Sequence, residues 1–490
     1  MYRYKILKNS QVIDSENEFI SKNSEKKLFD LATKKLENYI KKNIINKKIL
    51  FVCGPGKNGL DGIKTQKLLK SKKSLTYLIN KEKDLNLIKL TNQINDCDIV
   101  FDCIFGIGLK RKLDKTFLKI INIINSSKKK IISVDIPSGI NPDTGGNFGA
   151  NINADYTLAM GFFKPAHFLL PAKKYMGKLK VIDLNLKLPR ILNPDISIIN
   201  KKIIQKFQLL HEIDINKYDK GHVCVVGGKM AGAARIVAIT SRKIGAGLST
   251  ISVEKKYLTY YTKSEVGTIV EEFNNSSLCK KNVFVIGPGL GKDFKKTRIC
   301  KLLENIKEPI ILDADAISIF EKDRDKFYSI LVKKKNVILT PHHGEFCRVF
   351  KYDKKMSKID NCITASKLIK NIIIFKGNDT VVTFPDGRVY VDTESKNSLA
   401  TAGSGDMLCG MIAGLISQGI KIEDSILVSV FLQSRISQEK NKTIVEDFIE
   451  LIPKTLNLIK NSNWFKSNYG VFINIKSGRG GIGRRARFRF

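Results

Sequence analysis

Residues 48–62 read KILFVCGPGKNGLDG, a short apolar run that breaks straight into a glycine-rich turn. Such a run, bounded by glycine, fits a strand buried on both faces in a parallel sheet covered by helices. The pattern repeats outward along the chain. Residues 98–102 (DIVFD) lead to Gly106-Ile107-Gly108, and 131–135 (IISVD) lead to Pro137-Ser138-Gly139. The strands stop near Leu186, and 188–216 reads as a linker plus a connecting helix. A second series then begins. Residues 223–226 enter Gly227-Gly228, 283–286 enter GPGLG (287–291), and 310–312 enter Asp313-Ala314-Asp315. Residues 337–339 enter TPHHGE (340–345), and 372–375 enter Lys376-Gly377. Strands alternating with helical stretches in both halves predict an α/β protein of two domains, 1–205 and 206–465, followed by a disordered basic tail at 466–490.

The 490 residues suffice for two large cores without disulfide support. The nine cysteines form no Cys-x-x-Cys pair and are odd in number, which fits reduced thiols in a cytoplasmic protein better than a zinc site or disulfide framework. No apolar window is long enough for a membrane span, and the N-terminal residues are not those of a signal peptide. The formal charge of +38 is mostly lysine, spread evenly among abundant Ile and Asn. That distribution fits solvated surfaces written by an AT-rich genome better than a nucleic-acid footprint, though it favours anionic nucleotides as ligands. The arginine-rich end, SGRGGIGRRARFRF (477–490), has no apolar period that could pack.

In open α/β sheets the ligand lies at the carboxyl ends of the strands. In the first half those ends carry oxygen-bearing side chains: Asn58, Asp61, Asp102, Asp135 and Ser138. Glycines in the turn let a phosphate approach the backbone, and clustered oxygens suit a hard cation. The same residues also fit ordinary helix caps and turns. Over residues 10–190 the set GPGKNGLDG (54–62), DCIFGIGLKR (102–111) and VDIPSGINPDTG (134–145) resembles the NAD(P)H-hydrate epimerase family. The resemblance implies a Rossmann-like three-layer sandwich and a potassium ion held by Asn58, Asp102 and Ser138. It also implies substrate contacts from Lys57, Asn58, Gly59, Leu60 and Asp61, from Gly106, Ile107, Gly108, Leu109, Lys110, Arg111 and Lys112, and from Asp135, whose carboxylate has the chemistry to serve as the catalytic proton carrier. Lys57 and Leu60 depart from the family pattern, and Leu60 would disturb the turn if its φ had to be positive.

In the second half, TAGSGD (401–406) precedes an apolar helix. Backbone N–H groups at that helix start can hold a phosphoryl oxygen, and Asp406 can take a proton from a hydroxyl. Residues 215–455 are similar to the ribokinase-like fold, and within it to the ADP-dependent NAD(P)H-hydrate dehydratases. The similarity rests on YDKGHVCVVGGKMAGAA (218–234), VIGPGLG (285–291), LDADAIS (312–318), TPHHGEFCRV (340–349), IFKGNDTVV (374–382) and TAGSGDMLCGMIAG (401–414). It implies hydrate contacts at Ala233, Gly289, His342 and Asp406, and the proton chemistry above makes Asp406 the expected catalytic base. It further implies nucleotide contacts at Lys376, Gly377, Asn378, Asp379, Thr380 and Gly405, with ADP and Mg2+ as cofactors. The expected partners are therefore NADHX, NADPHX and ADP, in a homo-oligomer, with neither membrane nor nucleic acid. Two other readings remain: a vitamin-precursor kinase of the same fold, and an RNA-associated scaffold with a non-catalytic first domain.

Overall fold

The computed structural model describes residues 5–79, 86–204, 216–262, 264–274, 278–439 and 442–460. The tail expected at 466–490 lies outside the described residues, as does 205–215 of the connecting stretch. The strands are β1 (Lys5–Ile6), β2 (Ile49–Cys53), β3 (Ser74–Leu78), β4 (Ile99–Cys103), β5 (Lys130–Val134), β6 (Tyr156–Met160), β7 (Lys178–Ile182) and β8 (Asp195–Ile198). The second series is β9 (His222–Val226), β10 (Leu248–Val253), β11 (Ile269–Glu272), β12 (Val283–Ile286), β13 (Ile310–Leu312), β14 (Val337–Leu339), β15 (Ile372–Phe375), β16 (Val381–Thr383) and β17 (Arg388–Val391).

Six strands form a parallel sheet in the order β3-β2-β4-β5-β6-β7. Every residue of β2 and β4 is buried, which is why both read as apolar runs, broken in β4 only by Asp102. Alternation then divides them between two layers. Ile49, Phe51 and Phe101 pack with Leu36 and Ile40 of the helix Glu25–Asn43 on one face. Leu50, Val52 and Val100 pack with Ile120, Ile121 and Ile124 of the helix Lys115–Ser126 on the other. Each such side chain contributes about 1.5–3 kcal/mol of burial. The expected three-layer sandwich is borne out.

Eleven strands form the second sheet, in the order β1-β8-β17-β16-β15-β14-β13-β12-β9-β10-β11. From β15 through β11 it is parallel; β16 turns antiparallel to both its neighbours. Helices Ala231–Lys243, Ser404–Ser417 and Ile422–Ile436 cover one face. Lys296–Asn305, Arg324–Lys333 and Lys358–Ile369 cover the other. No helix among the described residues is long and apolar enough to cross a membrane.

One expectation is corrected. Residues 188–216 are not only linker and helix: β8 lies there, pairs parallel with β17 and antiparallel with β1, and so extends the second sheet from before residue 205. Its residues alternate in burial, with Ile196 and Ile198 inward, but four residues are too few to stand out as a strand. Phe168 and Leu169 join the same apolar cluster, so the second core includes side chains from the first half.

Candidate functional site

Both sheets reverse their strand order at one point. In the first sheet, chain order runs one way from β2 to β3 and the other way from β2 to β4. The crevice between the carboxyl ends of β2 and β4 is where a ligand fits. Backbones close on each other there. A β-carbon on Gly54 would stand 2.1 Å from the Ile104 carbonyl oxygen, and one on Gly59 would stand 1.8 Å from the Gly54 oxygen. Leu60 lies in the helix Lys57–Leu69 with its side chain largely exposed, so the turn does not demand a positive φ of it. Lys57 pairs with Glu25 at 2.7 Å in solvent.

Asp102 is fully buried at the end of β4. Its carboxylate accepts from the Ser133 hydroxyl (2.8 Å), the Ser138 amide (2.9 Å), the Ser138 hydroxyl (2.5 Å) and the Ile104 amide (3.2 Å). Burial still raises its pKa. The Ser138 hydroxyl also accepts from the Phe105 amide at 2.8 Å and lies 3.1 Å from the Phe105 carbonyl. Buried Asn58 donates to the Val134 carbonyl at 3.3 Å. One carboxylate among neutral oxygens is a donor set for a hard, weakly charged cation. Around it run Gly106 and Ile107, half-buried; Gly108, Lys110, Arg111 and Lys112, exposed; and Leu109, turned into the core.

Asp135 follows β5 with φ +70°, a conformation that L-residues other than Asn and Asp rarely adopt. Several contacts hold it there. Lys164, 1 % exposed, donates to its carboxylate, as does the Met160 amide at 3.2 Å. Its carbonyl lies 2.9 Å from His167 Nε2, while His167 Nδ1 accepts from the Lys164 amide at 2.9 Å. Burial pushes His167 down to about 4. A β-carbon on Gly106 would lie 3.2 Å from the Asp135 carboxylate and 3.6 Å from the Asn58 β-carbon, so the proposed cation ligands and Asp135 flank one loop. Two more carboxyl groups face this place. Burial, Asp135 and Glu16 push Asp61 up to about 7, and burial and Asp135 raise Glu16. Lys164, His167 and Glu16 were not singled out from sequence.

In the second sheet the reversal lies between β9 and β12. The turns that follow these strands touch: a β-carbon on Gly228 would stand 2.3 Å from the Leu290 oxygen. Gly289, at φ +71°, backs onto the start of the helix Ala231–Lys243, where an added β-carbon would stand 2.2 Å from the Met230 oxygen and 3.2 Å from the Ala233 β-carbon. Beside this wall, Lys376 Nζ donates to buried Asp313 at 2.6 Å. Gly405 lies directly over the pair, its virtual β-carbon 3.0 Å from Lys376 Nζ. Asp406 follows in the first turn of the helix Ser404–Ser417. Burial, Asp313 and Glu345 outweigh Lys376 and push it up to about 6.

His342 caps the helix His343–Val349. Its Nδ1 accepts from the Glu345 amide at 3.2 Å while Glu345 accepts from the His342 amide at 2.8 Å. Its ring stays half exposed, and burial and Lys376 lower its pKa. His343 packs against the rings of Tyr352 and Phe375, at 4.9 and 6.0 Å between centroids. Of the loop 376–380, Lys376 faces Asp406 and Asp313. Asp379 is turned elsewhere, to Lys358 Nζ (2.6 Å) and the Leu170 amide (2.9 Å). Thr380 closes the loop by donating to the Gly377 carbonyl at 2.7 Å, and the Asn378 side chain reaches Asn397 at 2.5 Å. Asp313 and Glu345 were missed as individuals, although both lie in the quoted motifs.

Residues 223–455 match the family described as NAD(P)H-hydrate dehydratase, and residues 64–166 match the family described as YjeF-related protein N-terminus. A bifunctional NAD(P)H-hydrate repair enzyme of Dictyoglomus turgidum is 30% identical over 489 residues, covering 87% of this chain and 91% of the relative. Another, of Thermofilum pendens, is 29% identical over 429 residues, covering 78% and 81%. Among solved structures, the ADP/ATP-dependent NAD(P)H-hydrate dehydratase of Bacillus subtilis is 20% identical with a TM-score of 0.45, covering 54% of this chain and 98% of the other.

Proposed function

The chain belongs to the bifunctional NAD(P)H-hydrate repair enzymes, and from that premise we infer that it epimerises hydrated NADH and NADPH and dehydrates the S epimer with ADP. Residues 1–205 carry the epimerase and 206–465 the dehydratase. The observation that carries the reading is the pair of carboxylates, Asp135 and Asp406, one beyond a carboxyl edge of each sheet, Asp135 beside buried Lys164 and Asp406 near half-buried Lys376.

In the first half, Asp135 exchanges a proton with the hydrate while its hydroxyl-bearing carbon loses and regains configuration. Lys164 and the Met160 amide hold its carboxylate in place. Asn58, Asp102 and Ser138 fit a potassium ion by their oxygen donors, and the ion would supply positive charge near the substrate phosphates.

In the second half, Asp406 takes the proton of the hydrate's hydroxyl as that oxygen bonds to the terminal phosphorus of ADP and the bond to AMP breaks. Phosphate then leaves with the electrons of the C–O bond, the neighbouring carbon gives up a proton, and the dihydronicotinamide double bond is restored. Lys376 and the amide groups at the helix start near Gly405 face the transferring phosphoryl. Magnesium would arrive on the nucleotide phosphates and neutralise their charge.

The test supplies both hydrate epimers with ADP, magnesium and potassium, and follows the absorbance of reduced nicotinamide. Complete recovery, faster than spontaneous epimerisation, is expected. In Asp135→Asn recovery should stop at the S share, and in Asp406→Ala it should fail while ADP still binds. Full recovery by either variant would refute the role given to that carboxylate, and a stable phosphorylated product would point to a kinase instead.

A further inference from the structure

The segment that leaves β6 serves both halves of the molecule. Lys164 and His167 contact Asp135, and Phe168 and Leu169 pack into the core of the second sheet. The next residues then grip the loop 376–380. The Leu170 amide donates to the Asp379 carboxylate at 2.9 Å, and half-buried Lys173 donates to the Asn378 carbonyl at 2.6 Å. Lys358 completes the grip from the second half, reaching the Asp379 carboxylate at 2.6 Å, its carbonyl at 3.0 Å and the Lys376 carbonyl at 3.3 Å.

The direction of these bonds matters. In a trans peptide the N–H points opposite to the carbonyl. Drawing the carbonyls of Asn378 and Asp379 toward two lysines therefore turns the amides of Asp379 and Thr380 the other way. Amides presented together form a concavity that suits an anionic oxygen. Asp379, 3 % exposed, has its carboxylate occupied in this clamp, which also keeps a negative charge from facing a phosphate.

We propose that Leu170 and Lys173, supplied by the epimerase half, are positioning residues for ADP binding in the dehydratase half. This rests on the reading that loop 376–380 binds the nucleotide. The first half thereby sets the nucleotide affinity of the second, a role separate from its own chemistry.

The experiment uses the full chain and compares the parent with Lys173→Met, Lys173→Arg and Lys376→Met. It measures the KM for ADP and kcat of dehydration, equilibrium ADP binding, the epimerase rate and the thermal midpoint. Lys173→Met should raise the KM for ADP about tenfold, with kcat and the epimerase rate within about twofold. Lys173→Arg, which can still donate to the Asn378 carbonyl, should keep the parental KM. A parental KM in Lys173→Met, beside weakened ADP binding in Lys376→Met, would overturn the positioning role and leave the loop reading standing. Unchanged ADP binding in Lys376→Met would overturn the loop reading and this proposal with it. Equal losses of kcat, epimerase rate and thermal midpoint in Lys173→Met would also overturn it, since they mark general damage.

Discussion

Asp406 should impose an acid limb on dehydration at about pH 6, well above the ordinary carboxylate range. The base must be ionised to take the hydroxyl proton, so kcat/KM should rise with pH up to that value and then level. At pH 5 it should stand about tenfold below the plateau. The displacement from 3.8 to about 6 corresponds to about 3 kcal/mol of disfavoured negative charge, from burial first and then from Asp313 and Glu345, against the pull of Lys376. Those causes make the limb movable. Glu345→Gln removes a repelling charge while its amide oxygen can still accept from the His342 amide, so the limb should move to lower pH. Lys376→Met removes the attracting charge and should move it higher. The assay follows initial rates from the S epimer alone, from pH 4.5 to 8, at fixed magnesium. A phosphate also titrates near pH 6, so a limb in the parent alone could belong to ADP. Opposite displacements by the two variants cannot, because substrate titration does not follow protein charges. A limb that stays fixed in both variants, or moves the same way, would refute the assignment of Asp406 as base.

Three further outcomes are expected. Lys164→Met strands Asp135 beside a desolvated wall and should lower unfolding stability by about 3 kcal/mol in urea titrations at pH 7; a loss under about 1 kcal/mol would mean the carboxylate is relieved another way. Gly289→Ala forces a β-carbon to within 2.2 Å of the Met230 oxygen at a positive φ, and should suppress dehydration while sparing epimerisation, read by single-epimer kinetics. His167, neutral and held at about 4, binds its proton more weakly folded than unfolded, so stability should be full above pH 6.5 and fall by up to about 3 kcal/mol as pH drops toward 4. His167→Gln should flatten that part of the urea-midpoint profile, and an unchanged slope would assign it to other groups.

Most strands with both faces buried were legible because each is an apolar run that breaks into a turn of glycine, proline or polar residues: β2, β4 and β5 in one sheet, β9 and β12 to β15 in the other. β1 and β8 were not, because neither KI nor DISI is an apolar run, and both are held only by tertiary pairing, β8 with β17 and β1 with β8. The same contrast holds at the sites. Asp135, His342 and Asp406 lie in turns or helix starts at the carboxyl edges, where chain order alone directs attention. Lys164 comes 29 residues after the carboxylate it clamps. In a chain with 85 lysines and arginines, one that turns inward looks like all the others. Lys57 shows the converse: a residue set in the phosphate-loop motif pairs in solvent with Glu25, a contact of a kind worth little.

The seating of β8 against β17, with β1 on its outer edge, also bears on how the molecule is made. Synthesis runs from the N-terminus, so both strands leave the ribosome long before Arg388–Val391 exists to receive them. Until then Ile196 and Ile198 lack the strand that seats them, and β8 offers an unpaired edge. The epimerase half must therefore wait, apolar surface uncovered, for the last strand of its neighbour, and a nascent chain halted before residue 388 should be held by chaperones or stick to its copies.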